Sequence, residues 1–189
     1  MRYLLLLLCL FSFILSDAQI IEHKQKSLGL QIGVPHWSTT LPEGRTYLPY
    51  QLMGYWNFYN ILPKKKHNLW IYLEPQWVLV NYDPKDDFDL EFGANLGLKF
   101  EWALTKRSLL TAAIGSGPHV ITVETTDQAR GFIFSDNMEV GWRQLFPNTP
   151  WEVHLKWRWR HISNANLQKP NDGIDTFIIV LGVVKRLSK

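Results

Sequence analysis

Between residues 88 and 104 apolar and polar side chains alternate with a period of two. Phe88, Leu90, Phe92, Ala94, Leu96, Leu98, Phe100, Trp102 and Leu104 fall on one face, and Asp89, Glu91, Asn95, Lys99 and Glu101 on the other. A helix would mix these sets, whereas a strand keeps them apart. Residues 131–145 repeat the pattern, with Phe132, Phe134, Met138, Val140 and Trp142 against Asn137, Glu139 and Arg143. Residues 69–80 set Leu69, Ile71, Leu73, Trp77 and Leu79 against Glu74 and Gln76. With the turn signals between segments, the pattern predicts eight strands at about 27–36, 47–60, 69–80, 88–104, 109–123, 131–145, 151–164 and 175–187. The first, fifth and eighth are less clean, and Pro49, Pro75 and Pro118 predict bulges or strand ends.

Alternation shows that two faces differ without showing which is inside. A soluble sandwich or lipocalin turns its apolar face inward; an outer-membrane barrel turns it toward lipid. The polar faces carry Glu74, Asp89, Glu91, Glu101, Glu139 and Glu152 against Lys99, Arg143, Lys156, Arg158 and Arg160. Near balance of sign is what an enclosed, ion-paired interior requires, because unpaired buried charge is costly. The 9 Trp, 7 Tyr and 10 Phe suit a surface at a membrane boundary. Together with long strands and an export signal, they favour an all-β, eight-stranded, antiparallel up-and-down transmembrane barrel. Eight strands enclose an interior filled by side chains, so no pore is expected. The compact links at 61–68, 105–108 and 146–150 would share the periplasmic end with both termini. The other four, including 165–174, would face outside.

The export signal is the N-terminal order of Met1-Arg2, an apolar run from Tyr3 to Leu15, and Ser16-Asp17-Ala18. The run is too short to span a bilayer as a helix. We expect a signal peptide over 1–18 and a single barrel domain over 19–189. Cleavage would remove Cys9, the only cysteine, and leave no disulfide. The formal net charge of +3 is too slight to imply a nucleic-acid partner.

The chemistry concentrates between the last two strands, from His161 to Phe177. His161 and Ser163 are two apart on one strand and must share a face. Trp151, Val153, Leu155, Trp157 and Trp159 have their parity, and Glu152, His154, Lys156, Arg158 and Arg160 have the other. A Ser-His pair therefore sits on the apolar side. Ester hydrolysis by serine needs a base near the hydroxyl, an acid to orient that base, and donors for the oxyanion. Asp175 opens the next strand. If the hairpin folds symmetrically about Lys169, Asp175 lies opposite Ser163 and diagonal to His161, within cross-strand reach. Asn164, Asn166 and Asn171 surround the pair with amides.

His161-Ile162-Ser163-Asn164-Ala165, followed by Pro170-Asn171-x-Gly173 and an acid fourteen residues after the histidine, resembles the PagL family of lipid A deacylases. These are eight-stranded outer-membrane barrels that cleave the 3-O-linked acyl chain of lipid A. The resemblance is strong over 157–177 and general elsewhere. It implies Ser163 as nucleophile, His161 as general base and Asp175 as orienting acid, with Asn171 holding the oxyanion and a backbone amide in 164–166 as second donor. The family commonly has glutamate where Asp175 stands. A shorter acid keeps the role if the backbone approaches more closely or a water bridges. The resemblance further implies lipid A or lipopolysaccharide as substrate, an outer-membrane location with the site near the outer leaflet, and no cofactor. It admits a homodimer.

Two other classes compete: a non-catalytic barrel with a structural or lipopolysaccharide-binding role, and a soluble lipid-binding barrel. Ser116 and His119 are three apart on one strand and so point to opposite faces, which argues against a second Ser-His pair there. His23, His36, His67 and His154 lack metal-ligand spacing, and no metal is expected. Lys64-Lys65-Lys66 reads as a solvated turn, and the tryptophans of the seventh strand as lipid-facing or packing residues.

Overall fold

A computed structural model describes residues 25–39, 41–64, 66–82 and 88–187. The expected signal peptide, with Cys9, lies outside the described residues. Eight strands follow one another: β1 (Ser27–Ser38), β2 (Tyr47–Asn60), β3 (His67–Tyr82), β4 (Phe88–Ala103), β5 (Ser108–Ile121), β6 (Gly131–Leu145), β7 (Trp151–Ser163) and β8 (Ile174–Arg186). Each pairs antiparallel with the next, and β1 closes on β8, giving a barrel with no free edge. One turn of 3-10 helix, Pro42–Gly44, lies in the link after β1.

Parity decides which face is inside. Leu90, Phe92, Leu96, Leu98 and Trp102 of β4 are exposed, while Glu91, Asn95, Lys99 and Glu101 are buried. On β7 the tryptophans Trp151 and Trp157 lie outside and Arg158 and Arg160, both 0 % exposed, lie inside. A wall this apolar is at odds with water and in keeping with lipid, so the soluble alternative fails on its outer surface.

The buried charges pair as their balance requires. Arg158 sits at the centre, donating to Glu139 at 2.6 Å, Glu74 at 2.6 Å and Gln51 at 2.9 Å. Lys156 reaches Glu139 at 2.9 Å. Toward the end with the short links, Arg143 bridges Glu101 at 2.7 Å and Glu152 at 2.6 Å, with Lys99 on Glu101 and His154 on Glu152. Toward the other end, Arg160, His119 and Tyr47 converge on Glu91. Asp89 stands apart from these arginines: at the rim, its carboxylate accepts a hydrogen bond from Thr122 at 3.1 Å.

The interior is not polar throughout. Leu41, Tyr47, Val80, Ile121, Ile133, Ile162 and Ile174 form an apolar plug that closes the long-link end. Ile178 and Val180 point inward from β8 while Ile179 and Leu181 point outward. That strand is apolar on both faces, which is why its alternation is weak. The prolines also behave differently from expectation. Pro49, Pro75 and Pro118 lie within strands and shift no register, although pairing lapses beside Pro75 toward β2 and beside Pro118 toward β4. A proline lacks the N–H of one ladder bond, and the loss stays on one side. The register shifts occur at Pro35/Trp37 and Asn57/Tyr59 instead.

Candidate active site

β7 and β8 deliver the candidate residues to the outer wall near the long-link end. His161 and Asp175 are directly opposite each other in the β7–β8 register. This corrects the symmetric hairpin, which would have put Asp175 opposite Ser163. The register centres the hairpin on Gln168 instead of Lys169, and the 164–173 link begins with a tight turn in which Ala165 and Asn166 take positive φ, 53° and 63°, closed by Leu167 N–H on Asn164 C=O at 3.1 Å. His161 Nδ1 lies 2.9 Å from Asp175 Oδ1. Against an ionised carboxylate, which can only accept, Nδ1 is the donor, and in the neutral ring Nε2 then keeps its lone pair. The shorter acid thus touches the histidine without a bridging water, because the two backbones are in direct register. Thr39 fixes the Asp175 backbone from the β1 side, its N–H donating to Asp175 C=O at 2.8 Å.

Ser163 lies on the same outer face, two residues along, opposite Phe134 of β6. Among the described residues no hydrogen bond joins Ser163 to His161. The structure brings together the histidine and the acid and leaves the hydroxyl beside them. Asn171 Oδ1 accepts from Asn164 N–H at 2.5 Å, which occupies the Asn164 backbone donor, and Asn171 Nδ2 donates to Asn166 Oδ1 at 3.4 Å. Asn164 is buried, its Nδ2 bonded to Gln168 C=O at 2.8 Å, so it supports the loop from beneath. Asn166 is exposed and lies 3.4 Å from Asn171 Nδ2. The backbone N–H groups of Ala165 and Asn166 fall outside the turn's own hydrogen bond and remain as donors.

Three contributors escape sequence reasoning. Gly173 has φ +80°, and a Cβ there would sit 2.5 Å from His161 Cε1 and 2.9 Å from Nε2. The imidazole edge therefore occupies the space that a side chain would fill; the glycine in Pro170-Asn171-x-Gly173 was the available signal. Gln128, fully buried, bridges to Asn171, and the 122–130 link clasps the site loop through Ala129 N–H on Pro170 C=O at 2.9 Å and Asp172 N–H on Asp127 C=O at 2.7 Å. No local pattern announces that clasp, since only ring closure brings the two links together. Asp136 is an acid with apolar-face parity, between Phe134 and Met138, and it pairs with His161 from β6.

From Asp136 a furrow runs down the outer wall between β4 and β7. Its upper part is lined by Leu96, Ile114, Ser116, Asp136, Met138 and Trp159, and its continuation by Phe100, Ala112, Val140 and Trp157. Small side chains on β5 leave the hollow, and flanking aromatics wall it. Beside it, Trp157 stacks on Phe177 with ring centroids 4.7 Å apart, and Trp159 on His161 at 6.0 Å. Ser116 and His119 fall on opposite faces, as parity requires, with His119 buried among Glu91 and Asn95. No three His, Cys, Asp or Glu side chains converge as a metal site among the described residues.

A closed eight-stranded barrel with an ionic interior and an apolar outer wall defines a small outer-membrane β-barrel protein. The family can be stated outright. The family model for lipid A 3-O-deacylase (PagL) matches residues 28–184, and the chain belongs to that family. Among solved structures it is similar to the crystal structure of the outer membrane enzyme PagL, at 17% identity and a TM-score of 0.62, covering 82% of this chain and 97% of that one. It is also similar to the outer membrane protein OprG from Pseudomonas aeruginosa, at 10% identity and a TM-score of 0.50, covering 92% of this chain and 100% of that one. Both likenesses are of fold. No curated protein sequence matches the chain.

Proposed function

We propose that this protein hydrolyses the 3-O-linked acyl ester of lipid A at the outer leaflet. The observation that carries the reading is the His161–Asp175 pair at 2.9 Å on the lipid-facing wall, with Ser163 on the same face. Family membership supplies the substrate class. The furrow beside the pair gives the acyl chain a place to lie while its ester stays level with His161.

In this mechanism Ser163 Oγ attacks the ester carbonyl as His161 Nε2 takes its proton. Asp175 holds the Nδ1 proton and stabilises the imidazolium. The Asn171 amide and a backbone N–H of 165–166 receive the oxyanion. Collapse expels the sugar alkoxide, which collects the proton from His161, and leaves an acyl-serine. Water, deprotonated by the same Nε2, then releases the fatty acid and restores Ser163. No step calls for a cofactor. Because Ser163 and His161 are not bonded at rest, the reading requires a rotamer change on substrate binding, as is common for catalytic contacts before the substrate arrives.

Mass spectrometry of lipid A from cells expressing the protein should show loss of one ester-linked acyl chain, and cells expressing Ser163→Ala should keep it. Unchanged lipid A in the presence of folded wild-type protein would favour the non-catalytic barrel.

A further inference from the structure

We propose that the short-link end of the barrel binds the headgroups of anionic phospholipids in the leaflet around it, through a ring of unpaired cations. Naming that leaflet as the periplasmic one rests on the outer-leaflet placement of the site proposed above; the binding itself does not. At this end Lys26, Lys64, Lys66, Lys106, Arg107 and Lys185 are all exposed. None of the six has an ion pair among the described residues. No acid is exposed there among those residues either: Glu101 and Glu152, the acids of that end, are buried and held by Arg143. The opposite end mixes its signs, with Glu124, Asp127 and Asp172 beside Arg130 and Lys169.

Backbone hydrogen bonds fix where these cations stand. Ala103 N–H donates to Lys66 C=O, Leu145 N–H to Arg107 C=O and Leu187 N–H to Lys26 C=O, each at 2.8 Å, so each of these cation-bearing segments is tied to its neighbour at the rim. The 146–150 link alone among the short links carries no charge, and Arg186 leans over it to donate to the Thr149 and Pro150 carbonyls. Two features choose lipid over a soluble partner. Tyr59, Trp102, Phe146 and Trp151 stand exposed on the outer wall at the same end, the aromatic collar that settles between hydrocarbon and headgroups. Lys185 belongs to that wall rather than to a link, and its Nζ lies 6.0 Å from the centroid of the Trp151 ring. Its stem therefore runs along the collar and carries its charge to headgroup height. A surrounding leaflet meets charge from several sides at one height, which is how the six cations are spread; a partner docked on one side would not need that spread. The matching group is the phosphate of a headgroup with net negative charge, to which exposed Lys and Arg are attracted over about a Debye length.

Electron spin resonance on the full barrel in phosphatidylcholine vesicles, doped with spin-labelled phosphatidylglycerol or spin-labelled phosphatidylcholine, measures which lipid is held at the wall. In low salt the wild type should prefer phosphatidylglycerol about fivefold, the factor that one cation near an anionic headgroup supplies, and should lose the preference in about 1 M NaCl. The double variants Lys64→Gln/Lys66→Gln and Lys106→Gln/Arg107→Gln should each reduce it, and all four substitutions together should bring it below about twofold. Arg130→Gln/Lys169→Gln, at the other end, should keep it. The double variants and the salt titration of the wild type decide the matter even if the fourfold variant fails to fold. No preference in the wild type would assign the ring to a soluble acidic partner and overturn the proposal. A preference that survives high salt or both double variants, that is lost equally in the other-end pair, or that millimolar glycerophosphoglycerol displaces at constant ionic strength would overturn it as well, the last by showing a site for the free anion. These vesicles hold the lipid in both leaflets and no readout involves hydrolysis, so the result is independent of whether lipid A loses an acyl chain.

Discussion

At the scale of single residues, the candidate chemistry depends on His161 being held from two sides. Asp175 fixes Nδ1 at 2.9 Å, and the bare Cα of Gly173 accommodates the opposite edge of the ring. Ser163→Ala and His161→Ala should each abolish acyl release from a barrel that still folds, read as lost turnover with unchanged heat-modifiable gel mobility, because neither side chain enters the ionic interior. Asp175→Asn should lower kcat by about a hundredfold or more, since an amide can present either an acceptor or a donor to Nδ1 and no longer stabilises the imidazolium. Asp175→Glu should lose less than Asn: it keeps the charge, and its extra methylene must be absorbed in a register where aspartate already makes contact. Equal losses would show that geometry outweighs charge at this position. Gly173→Ala should reduce kcat at least tenfold and cost about 1 kcal/mol in urea unfolding, because a Cβ both strains the positive φ and displaces the imidazole.

Among elements, the site belongs to two links rather than one. The 164–173 link carries Asn171, and the 122–130 link, pinned by Thr125 Oγ1 accepting from Gln128 N–H at 2.9 Å, holds Asn171 through its bridge with Gln128. Shortening the second link by deleting Thr126 and Asp127 should leave the eight strands paired while raising amide hydrogen exchange across 164–172 and lowering kcat. Unchanged exchange in the site loop would show that the clasp carries no order to it. Register matters equally for the strands. A one-residue slip of β7 would send the tryptophans inward and the arginines to lipid, so both walls of that strand oppose it.

Over the whole molecule, stability is tied to an interior in which few charges can be removed singly. Arg158 neutralises Glu74 and Glu139 together and also bonds Gln51. Arg158→Met should destabilise the barrel by about 3–5 kcal/mol in detergent-micelle unfolding, because it leaves two buried carboxylates sharing Lys156 as their remaining cation. Replacing Arg158, Glu74 and Glu139 together by apolar residues of similar volume should recover most of that loss. A triple variant as unstable as the single one would show that the network contributes more than mutual neutralisation.

Strand number, strand positions to within about two residues and the division of each strand into two faces were legible in the sequence, because a period of two is a local property of the chain. Weak alternation in β8 was the exception, since a strand that packs an apolar plug inside and meets lipid outside has no contrast to show. The sequence also showed that His161, Ser163 and an acid lie in one short stretch. Only the closed barrel decided that Asp175 stands opposite His161 rather than Ser163, that Gln128 reaches Asn171 from a link some forty residues earlier, and that Asp136 of β6 stands opposite His161 on its other side. Register and ring closure are set by the sum of cross-strand contacts around the barrel, and no single segment contains that sum.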